Sequence, residues 1–110
     1  MASHPRRRFY IGFSTVPNKK SAQAIIAHLL DLRLIACANL WGPVESHYVW
    51  KGKRCKAPEY VIKMKFAKRN YLKIQKTLLD HHPYETPEFL ALEISQGYQP
   101  YLDWVWEMSS

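Results

Sequence analysis

The feature that most constrains the fold is a long alternation of apolar and polar side chains over residues 35–66, centred on Lys51-Gly52. A period of two is typical of strands with one buried face, and the short Lys-Gly connection favours a tight hairpin. Gly42-Pro43 predicts a bulge or kink within the first strand, and Pro58 predicts that the second strand starts at a sheet edge or bulge. The sheet is therefore predicted to form around one unusually long β-hairpin.

The segments before the hairpin supply one strand and one helix. Residues 8–15 alternate in the same way and are predicted to form the first strand. Apolar residues then recur at helical spacing, from a cap at Asn18 to an end near Arg33. This helix has one apolar face, so we expect it to pack on the sheet.

The segments after the hairpin repeat that order. A second helix is predicted to start at a cap on Asn70 and to stop before Pro83. Residues 89–94 are predicted to form a fourth strand, and Pro100 fits the first turn of a short last helix. That last helix carries apolar residues on one face.

The element order predicts an α+β fold of the ferredoxin-like, split βαβ type (βαββαβ plus a short C-terminal helix). Two helices would cover one face of a four-stranded antiparallel sheet, and residues 1–110 would form a single domain with a flexible basic N-terminus at residues 1–7. The middle strands are predicted to be about twice as long as the outer ones. Their overhanging backbone groups need partners, so we expect a homo-oligomer.

Composition excludes several classes of protein. Of 110 residues, 47% are hydrophobic and 23% are charged, which is typical of a globular domain and not of a disordered chain. No apolar run approaches the roughly 18 residues of a membrane span, and the apolar stretch after the first arginines is too short for a secretory signal. We therefore expect no membrane partner. We also expect a cytoplasmic location, and the presence of only two cysteines agrees with that location.

The distribution of charge suits a cation near the C-terminal third. The formal net charge is +7, yet no Lys or Arg follows Lys76. That part of the chain could meet a cation, although a solvated acidic face is the simpler interpretation.

The hairpin also places the two cysteines. Pairing about Lys51-Gly52 would set Cys37 opposite Phe66 and Cys55 opposite Tyr48, which is too far apart for a disulfide within one chain. Cys37 has alanine on both sides and is predicted to be buried as a small hydrophobe. Cys55 lies in a Lys-Arg-Cys-Lys run and is predicted to be the more reactive thiol.

The densest group of chemically active side chains spans residues 81–88. It holds His81, His82, two carboxylates and a phenol, in a segment stiffened by two prolines. Imidazole suits Cu, Zn and Ni, and Pro83 would let the two rings converge by ending the helix between them. A helix cap is the alternative interpretation. Glu59 is either a solvated charge or the partner of Lys65.

Five sequence blocks resemble one known family in order and spacing. They are LIACAN at 34–39, YVWKGK at 48–53, Glu59, HPYETPE at 82–88 and YLDW at 101–104. The chain resembles the CutA-type divalent-cation tolerance proteins over nearly its whole length. The resemblance implies a ferredoxin-like homotrimer joined through the long strands, with a role in divalent-cation tolerance. Because the spacing assembles no set of nucleophile, base and orienting residue, we also expect no enzymatic activity.

The resemblance also implies functional residues. It implies a copper site at His81 and His82, with Ser14 at the position of a cysteine found in bacterial members. Because a hydroxyl is a poorer copper ligand than a thiolate, we expect Cu²⁺ binding to be weak, and other divalent cations are possible cofactors. It further implies an inter-subunit cleft formed by Cys37, Tyr48, Trp50, Glu59, Lys65, Tyr84, Glu88 and Trp104.

Two other functions remain open on the sequence. The cleft could bind a small molecule, with the trimer acting as a sensor that signals to an unknown protein partner. The strand order also serves RNA-binding domains, but the third strand lacks their basic-Gly-aromatic signature, so a nucleic-acid partner is disfavoured.

Overall fold

The structure, a computed structural model, describes residues 7–110. The predicted flexible basic N-terminus at residues 1–7 therefore lies outside the described residues, except for Arg7. The elements are β1 (Phe9–Val16), α1 (Lys19–Asp31), β2 (Cys37–Trp50), β3 (Lys53–Ala67), a 3₁₀ turn (Lys68–Asn70), α2 (Tyr71–His81), β4 (Leu90–Glu93) and α3 (Gln99–Met108). Within this range, none of the helices has the length and apolar character that a membrane crossing requires.

The four strands form one antiparallel sheet in the order β2-β3-β1-β4. This arrangement, with α1 and α2 in the crossovers, confirms the predicted ferredoxin-like fold. The strands of the hairpin have 14 and 15 residues, whereas β1 has 8 and β4 has 4. The predicted excess length of the middle strands is therefore confirmed.

The core lies between α1, α2 and one face of the sheet. Alternate residues of β3, namely Ile62, Met64 and Phe66, are fully buried there against apolar residues of both helices. Gly12 of β1 faces the same layer, where an added Cβ would lie 2.9 Å from the Phe66 ring. The period-two pattern in the strands thus assigns one face to α1 and α2. The other face, here called the open face, is covered by α3 near Phe9 and Lys65 and has no helix from α1 or α2.

The predicted hairpin register is wrong by one residue in its lower half. The structure pairs Tyr48 with Cys55 as predicted, but it pairs Cys37 with Lys65 and not with Phe66. The cause is a bulge between Trp41 and Val44, which inserts one residue into β2. Because a one-residue shift changes the face of every side chain, Cys37 lies on the open face and is only partly buried, so its predicted burial in the core is also wrong.

The upper half of the hairpin is an arm that extends beyond the rest of the sheet. β1 pairs with β3 only from Tyr60 onward, so Lys53–Glu59 has β2 alone as a neighbour. Pro58 lies in this stretch, which confirms the prediction that it marks an edge. The arm accounts for the elongated dimensions of 51 × 26 × 22 Å and leaves the outer edge of β2 unpaired within the described chain.

The prediction that the side chain of Asn70 caps α2 is wrong. Asn70 is buried, and its Nδ2 donates to the carbonyl oxygens of Leu34 (3.0 Å) and Ser109 (2.6 Å). A side-chain amide has two N–H donors, and here both are used to satisfy loop carbonyls. Asn70 therefore ties the end of α1 to the end of α3.

Candidate functional site

His82 fixes the start of the loop that follows α2. Its Nδ1 accepts from the backbone N–H of Tyr84 at 3.1 Å, so Nδ1 carries no proton, and Nε2–H donates to the carbonyl of Thr15 at 2.8 Å. Burial lowers the pKa of His82, and this outweighs the opposing effects of the Thr15 carbonyl and the Glu59 charge. The ring is therefore a neutral cross-link between the loop and the end of β1.

Tyr84 extends this loop to the sheet. Its hydroxyl donates to Glu59 Oε2 at 2.7 Å, and Glu59 is only 8% exposed. Burial raises the pKa of Tyr84, with further contributions from the hydrogen bond and charge of Glu59 and from Tyr48, so the phenol remains a donor at neutral pH. Glu59 is thus buried and held by the loop. Of the two interpretations open on the sequence, neither the solvated charge nor the pairing with Lys65 is found within residues 7–110.

A cavity of about 520 Å³ lies between the hairpin arm and this loop. Its walls include three aromatic and three acidic side chains: Tyr48, Trp50, Tyr84, Glu59, Glu85 and Glu88. Burial, together with the Glu59 charge, raises the pKa of Glu88. Five of the eight predicted cleft residues therefore meet at one pocket, here called the acidic-aromatic pocket.

The other three predicted cleft residues form a second cluster at the base of the hairpin, here called the Lys65 cluster. Lys65 Nζ donates to the Tyr101 hydroxyl at 3.2 Å, and Cys37 Sγ lies 3.6 Å from the same oxygen. The Tyr101 ring packs at 5.6 Å from Trp104. Both aromatic rings remain well exposed, so the predicted apolar face of α3 is not buried along its whole length.

The pocket and the Lys65 cluster lie on one face of β3 but far apart. Glu59 and Lys65 are six residues apart on the same strand, which corresponds to about 20 Å at about 3.3 Å per residue. Within one chain, the eight predicted cleft residues therefore form two half-sites.

The three predicted copper ligands have separate surroundings. His81 is exposed, its Nδ1 donates to the Thr77 carbonyl at 2.8 Å, and its ring stacks on His28 at 3.9 Å. Both ring nitrogens of His82 are engaged in hydrogen bonds. Ser14 is fully buried on the helix side of the sheet, and its Oγ has no hydrogen-bond partner.

Metal binding by one chain has little support from the donor geometry. Within residues 7–110, no three His, Cys, Asp or Glu side chains are grouped so that they could hold a metal ion. Copper binding at His81 and His82 therefore stays a prediction.

Sequence reasoning missed three features around these sites. Tyr101 links Cys37 to Lys65, Glu85 lines the pocket, and His28 stacks on His81. The contact between His28 and His81 joins two helices that are distant in sequence, so no local pattern could have revealed it. Glu85 lies inside the 81–88 block, so its place in the pocket is the feature of these three that the sequence could have predicted.

Comparison with known proteins places the chain in a family. Residues 10–108 match the model of the CutA1 divalent ion tolerance proteins. The divalent-cation tolerance protein CutA of Thermus thermophilus is 34% identical over 93 residues, which are 84% of this chain and 90% of that protein. The mouse protein CutA is 36% identical over 88% of this chain, but the chain spans only 55% of its length.

Solved structures agree with the sequence comparison. The Thermus thermophilus Cut A1 structure superposes with a TM-score of 0.90 at 31% identity, covering 93% of this chain and 99% of that one. A structure described as the PII-like protein CutA from Nostoc, in its apo form, gives a TM-score of 0.85 at 29% identity, with 92% and 97% covered. The chain belongs to the CutA1 family of divalent ion tolerance proteins.

Proposed function

We propose that this chain works in divalent-cation tolerance as a homotrimer that binds Cu²⁺ weakly and has no enzymatic activity. The observation that carries the proposal is the separation of the cleft residues into two half-sites on one face of the sheet. A single chain cannot close a cleft over about 20 Å of strand. A neighbouring copy that brings its Lys65 cluster to the acidic-aromatic pocket would complete it.

The surface of the chain supports assembly. Among residues 7–110 no strand pairs with the outer edge of β2, and such edges invite strand addition. The open face also exposes Trp41, Leu90 and Leu92, with 45%, 59% and 63% of their surface accessible. Trp41 lies on the edge strand β2, and the two leucines lie on the opposite edge strand β4. Exposed apolar side chains at sheet edges are typical of places where a partner packs, and a second copy is the partner that the resemblance implies.

Sedimentation at micromolar concentration tests the assembly. We expect a species of three chains of 13.0 kDa each, and we expect Trp41→Lys to weaken it by placing a charge on the open face. Leu72→Lys is the matched control, because Leu72 is 71% exposed on α2, away from that face. A 13.0 kDa species alone, or equal effects of the two variants, would contradict the proposal.

Copper is proposed to bind at His81 and His82. The C-terminal end of α2 carries partial negative charge, and no Lys or Arg follows Lys76. Binding is expected to be weak because His82 Nδ1 must give up the hydrogen bond from the Tyr84 N–H before it can ligate, and because the Ser14 hydroxyl is a poor copper ligand.

Calorimetric titration with Cu²⁺ tests the copper site. His81→Ala and His82→Ala should each weaken binding at least about tenfold, equivalent to about 1.4 kcal/mol. His47→Ala is the control, since His47 is an exposed imidazole on the hairpin arm. If the control loses as much affinity as the other two variants, or none loses any, the site lies elsewhere.

A second candidate function is the sensing of a small molecule by the trimer. The acidic-aromatic pocket favours it, because a cavity of about 520 Å³ is within the range of roughly 300–1,000 Å³ usual for small-molecule sites. The Nostoc structure, described as PII-like, also agrees with this candidate. A cytoplasmic location is proposed as well, and cell fractionation would test it, since an Archaeoglobus fulgidus relative is described as periplasmic.

A further inference from the structure

We propose that His28 and His81 together bind one divalent transition-metal ion at the surface of the two-helix layer, with Cu²⁺ as the ion that such nitrogen ligands hold most strongly. The inference rests on the proposed copper binding and deepens it, because it keeps His81 and adds His28 as a ligand. It is supported by the contact between the two rings, by the protonation of His81 and by the position of the pair relative to the proposed assembly.

The first argument is the distance between the two rings. Their centroids are 3.9 Å apart, and their planes are inclined by 29°. Two imidazole nitrogens that share one ion, each about 2.0–2.1 Å from it, are separated by at most about 4 Å. Both side chains are exposed, so the rings are free to turn until one nitrogen of each faces a common ion.

The two helices direct these side chains toward each other. α1 follows β1 and α2 follows β3, and because those strands are antiparallel the two helices run antiparallel as well. His28 and His81 both lie in the last turn of their helices. Side chains of a helix lean toward its N-terminus, so two side chains near the ends of antiparallel neighbours lean together. Leu29 and Leu78 anchor both helices in the core, and the pair is therefore held on rigid elements, as a binding site requires.

The second argument is the protonation of His81. A carbonyl only accepts hydrogen bonds, so the 2.8 Å contact with the Thr77 carbonyl places the proton on Nδ1. Nε2 then carries the free lone pair, and no hydrogen bond within residues 7–110 engages it. Histidines that bind metals almost always donate their other ring N–H to a carbonyl, a carboxylate or water, which fixes the ring in the ligating form. His81 already has this arrangement.

His82 is less suited to share an ion with His81. Its ring is directed toward β1, where Nε2–H donates to the Thr15 carbonyl, and its Nδ1 accepts from the N–H of Tyr84. The contact between His28 and His81 is ring stacking. An ion held by His28 and His81 therefore leaves both hydrogen bonds of His82 in place.

The third argument is the position of the pair. α1 and α2 cover the face of the sheet opposite to the open face, whereas the proposed trimer forms through the open face and the outer edge of β2. The exposed pair is therefore not part of the surfaces that the proposed trimer covers. Within residues 7–110 no third His, Cys, Asp or Glu completes the group, so water would fill the remaining coordination positions and binding should be weak.

Calorimetric titration of the full chain with Cu²⁺ tests the inference. His28→Ala should weaken binding at least about tenfold, as His81→Ala does, because each variant leaves the ion with a single imidazole. Alanine favours the helix, so His28→Ala is expected to fold. The controls are His47→Ala, on the hairpin arm, and His4→Ala, outside the described residues. Neither control should change the affinity of this site.

The outcomes separate this inference from the proposed function. Unchanged affinity in His28→Ala refutes the inference, and the proposed copper site then survives if His81→Ala and His82→Ala both weaken binding. Loss in His28→Ala and His81→Ala without loss in His82→Ala supports the inference and refutes only the assignment of His82.

A double variant shows whether the two rings serve the same ion. His28→Ala combined with His81→Ala should lose less affinity than the sum of the two single losses, because residues that share one ligand are not independent. Two ions per chain, with one lost in each single variant, would show two separate sites and overturn the inference.

Discussion

The hydroxyl of Tyr84 and the carboxylate of Glu59, 2.7 Å apart, join the loop after α2 to the central part of β3. They are 25 residues apart in sequence, and neither belongs to a recognisable catalytic motif. The contact holds the loop against the sheet at the point where the hairpin arm begins. One wall of the acidic-aromatic pocket therefore depends on this hydrogen bond.

Removing the Tyr84 hydroxyl should destabilise the chain. In Tyr84→Phe, Glu59 loses its donor while it stays buried, so we expect a loss of about 1–3 kcal/mol in the free energy of unfolding. Urea denaturation at neutral pH measures it. Tyr98→Phe is the control, because Tyr98 is 78% exposed and should change stability by less than about 0.5 kcal/mol. Equal losses would show that the Tyr84 hydroxyl contributes nothing specific.

His82 should make stability depend on pH. Its pKa in the folded state lies below the ordinary value of 6.5, mainly because of burial, so the unfolded chain binds more protons between the two values. The free energy of unfolding is then fully maintained above pH 6.5 and falls as the pH drops below it.

A comparison of variants isolates the His82 contribution. His82→Gln should lose stability at pH 7.5 but show a flatter decline between pH 6.5 and 5 than the unaltered chain. Leu72→Gln, at a non-titrating position that is 71% exposed on α2, is the control and should keep the original slope. An unchanged slope in His82→Gln would exclude His82 as the source.

Ser14 should be replaceable with a gain in stability. Its hydroxyl is fully buried without a hydrogen-bond partner, which costs about 1–3 kcal/mol. We expect Ser14→Ala to raise the free energy of unfolding by about 1 kcal/mol, since the small cavity left behind offsets part of the gain. Ser95→Ala, at an exposed position, serves as the control. A loss of stability in Ser14→Ala would indicate that the hydroxyl has a partner, such as a buried water.

Arg33 should also tolerate replacement. It has a positive φ of 57° after the end of α1, where the N–H groups of Arg33 and Leu34 donate to the carbonyls of Leu30 and Leu29. This helix ending favours glycine, so Arg33→Gly should stabilise the chain by about 0.5–1 kcal/mol. Thermal unfolding measures it, with Arg54→Gly, in the regular arm of β3, expected to destabilise. Destabilisation by Arg33→Gly would mean that its bond to the Glu107 carbonyl outweighs the backbone strain.

The fold was predictable because period-two and helical patterns are local. The strand order, the long hairpin and the bulge at Gly42-Pro43 all follow from short stretches of sequence. The register below the bulge was not predictable, because Gly-Pro indicates a kink but does not indicate how many residues are inserted. That one residue decides which face carries Cys37, and so it decides whether this thiol meets the core or Tyr101.

The site was predictable in part for a similar reason. Tyr48, Trp50 and Glu59 were implied as cleft residues by the family resemblance, and the residues after Pro83 stand out as a block. The partners of Asn70 and His82 are backbone carbonyls distant in sequence, and a sequence pattern carries no information on which carbonyls lack a donor. The separation of Lys65 from Glu59 was within reach of the sequence, because six residues of a predicted strand span about 20 Å.

Native mass spectrometry with and without Cu²⁺ reports the number of chains and the number of bound ions together, and it therefore tests the trimer and its copper site in one experiment. We expect a particle of three 13.0 kDa chains that persists in both conditions and takes up copper only when the ion is added in excess, as weak binding requires. A single 13.0 kDa chain at micromolar concentration, with or without copper, would refute the proposed trimer.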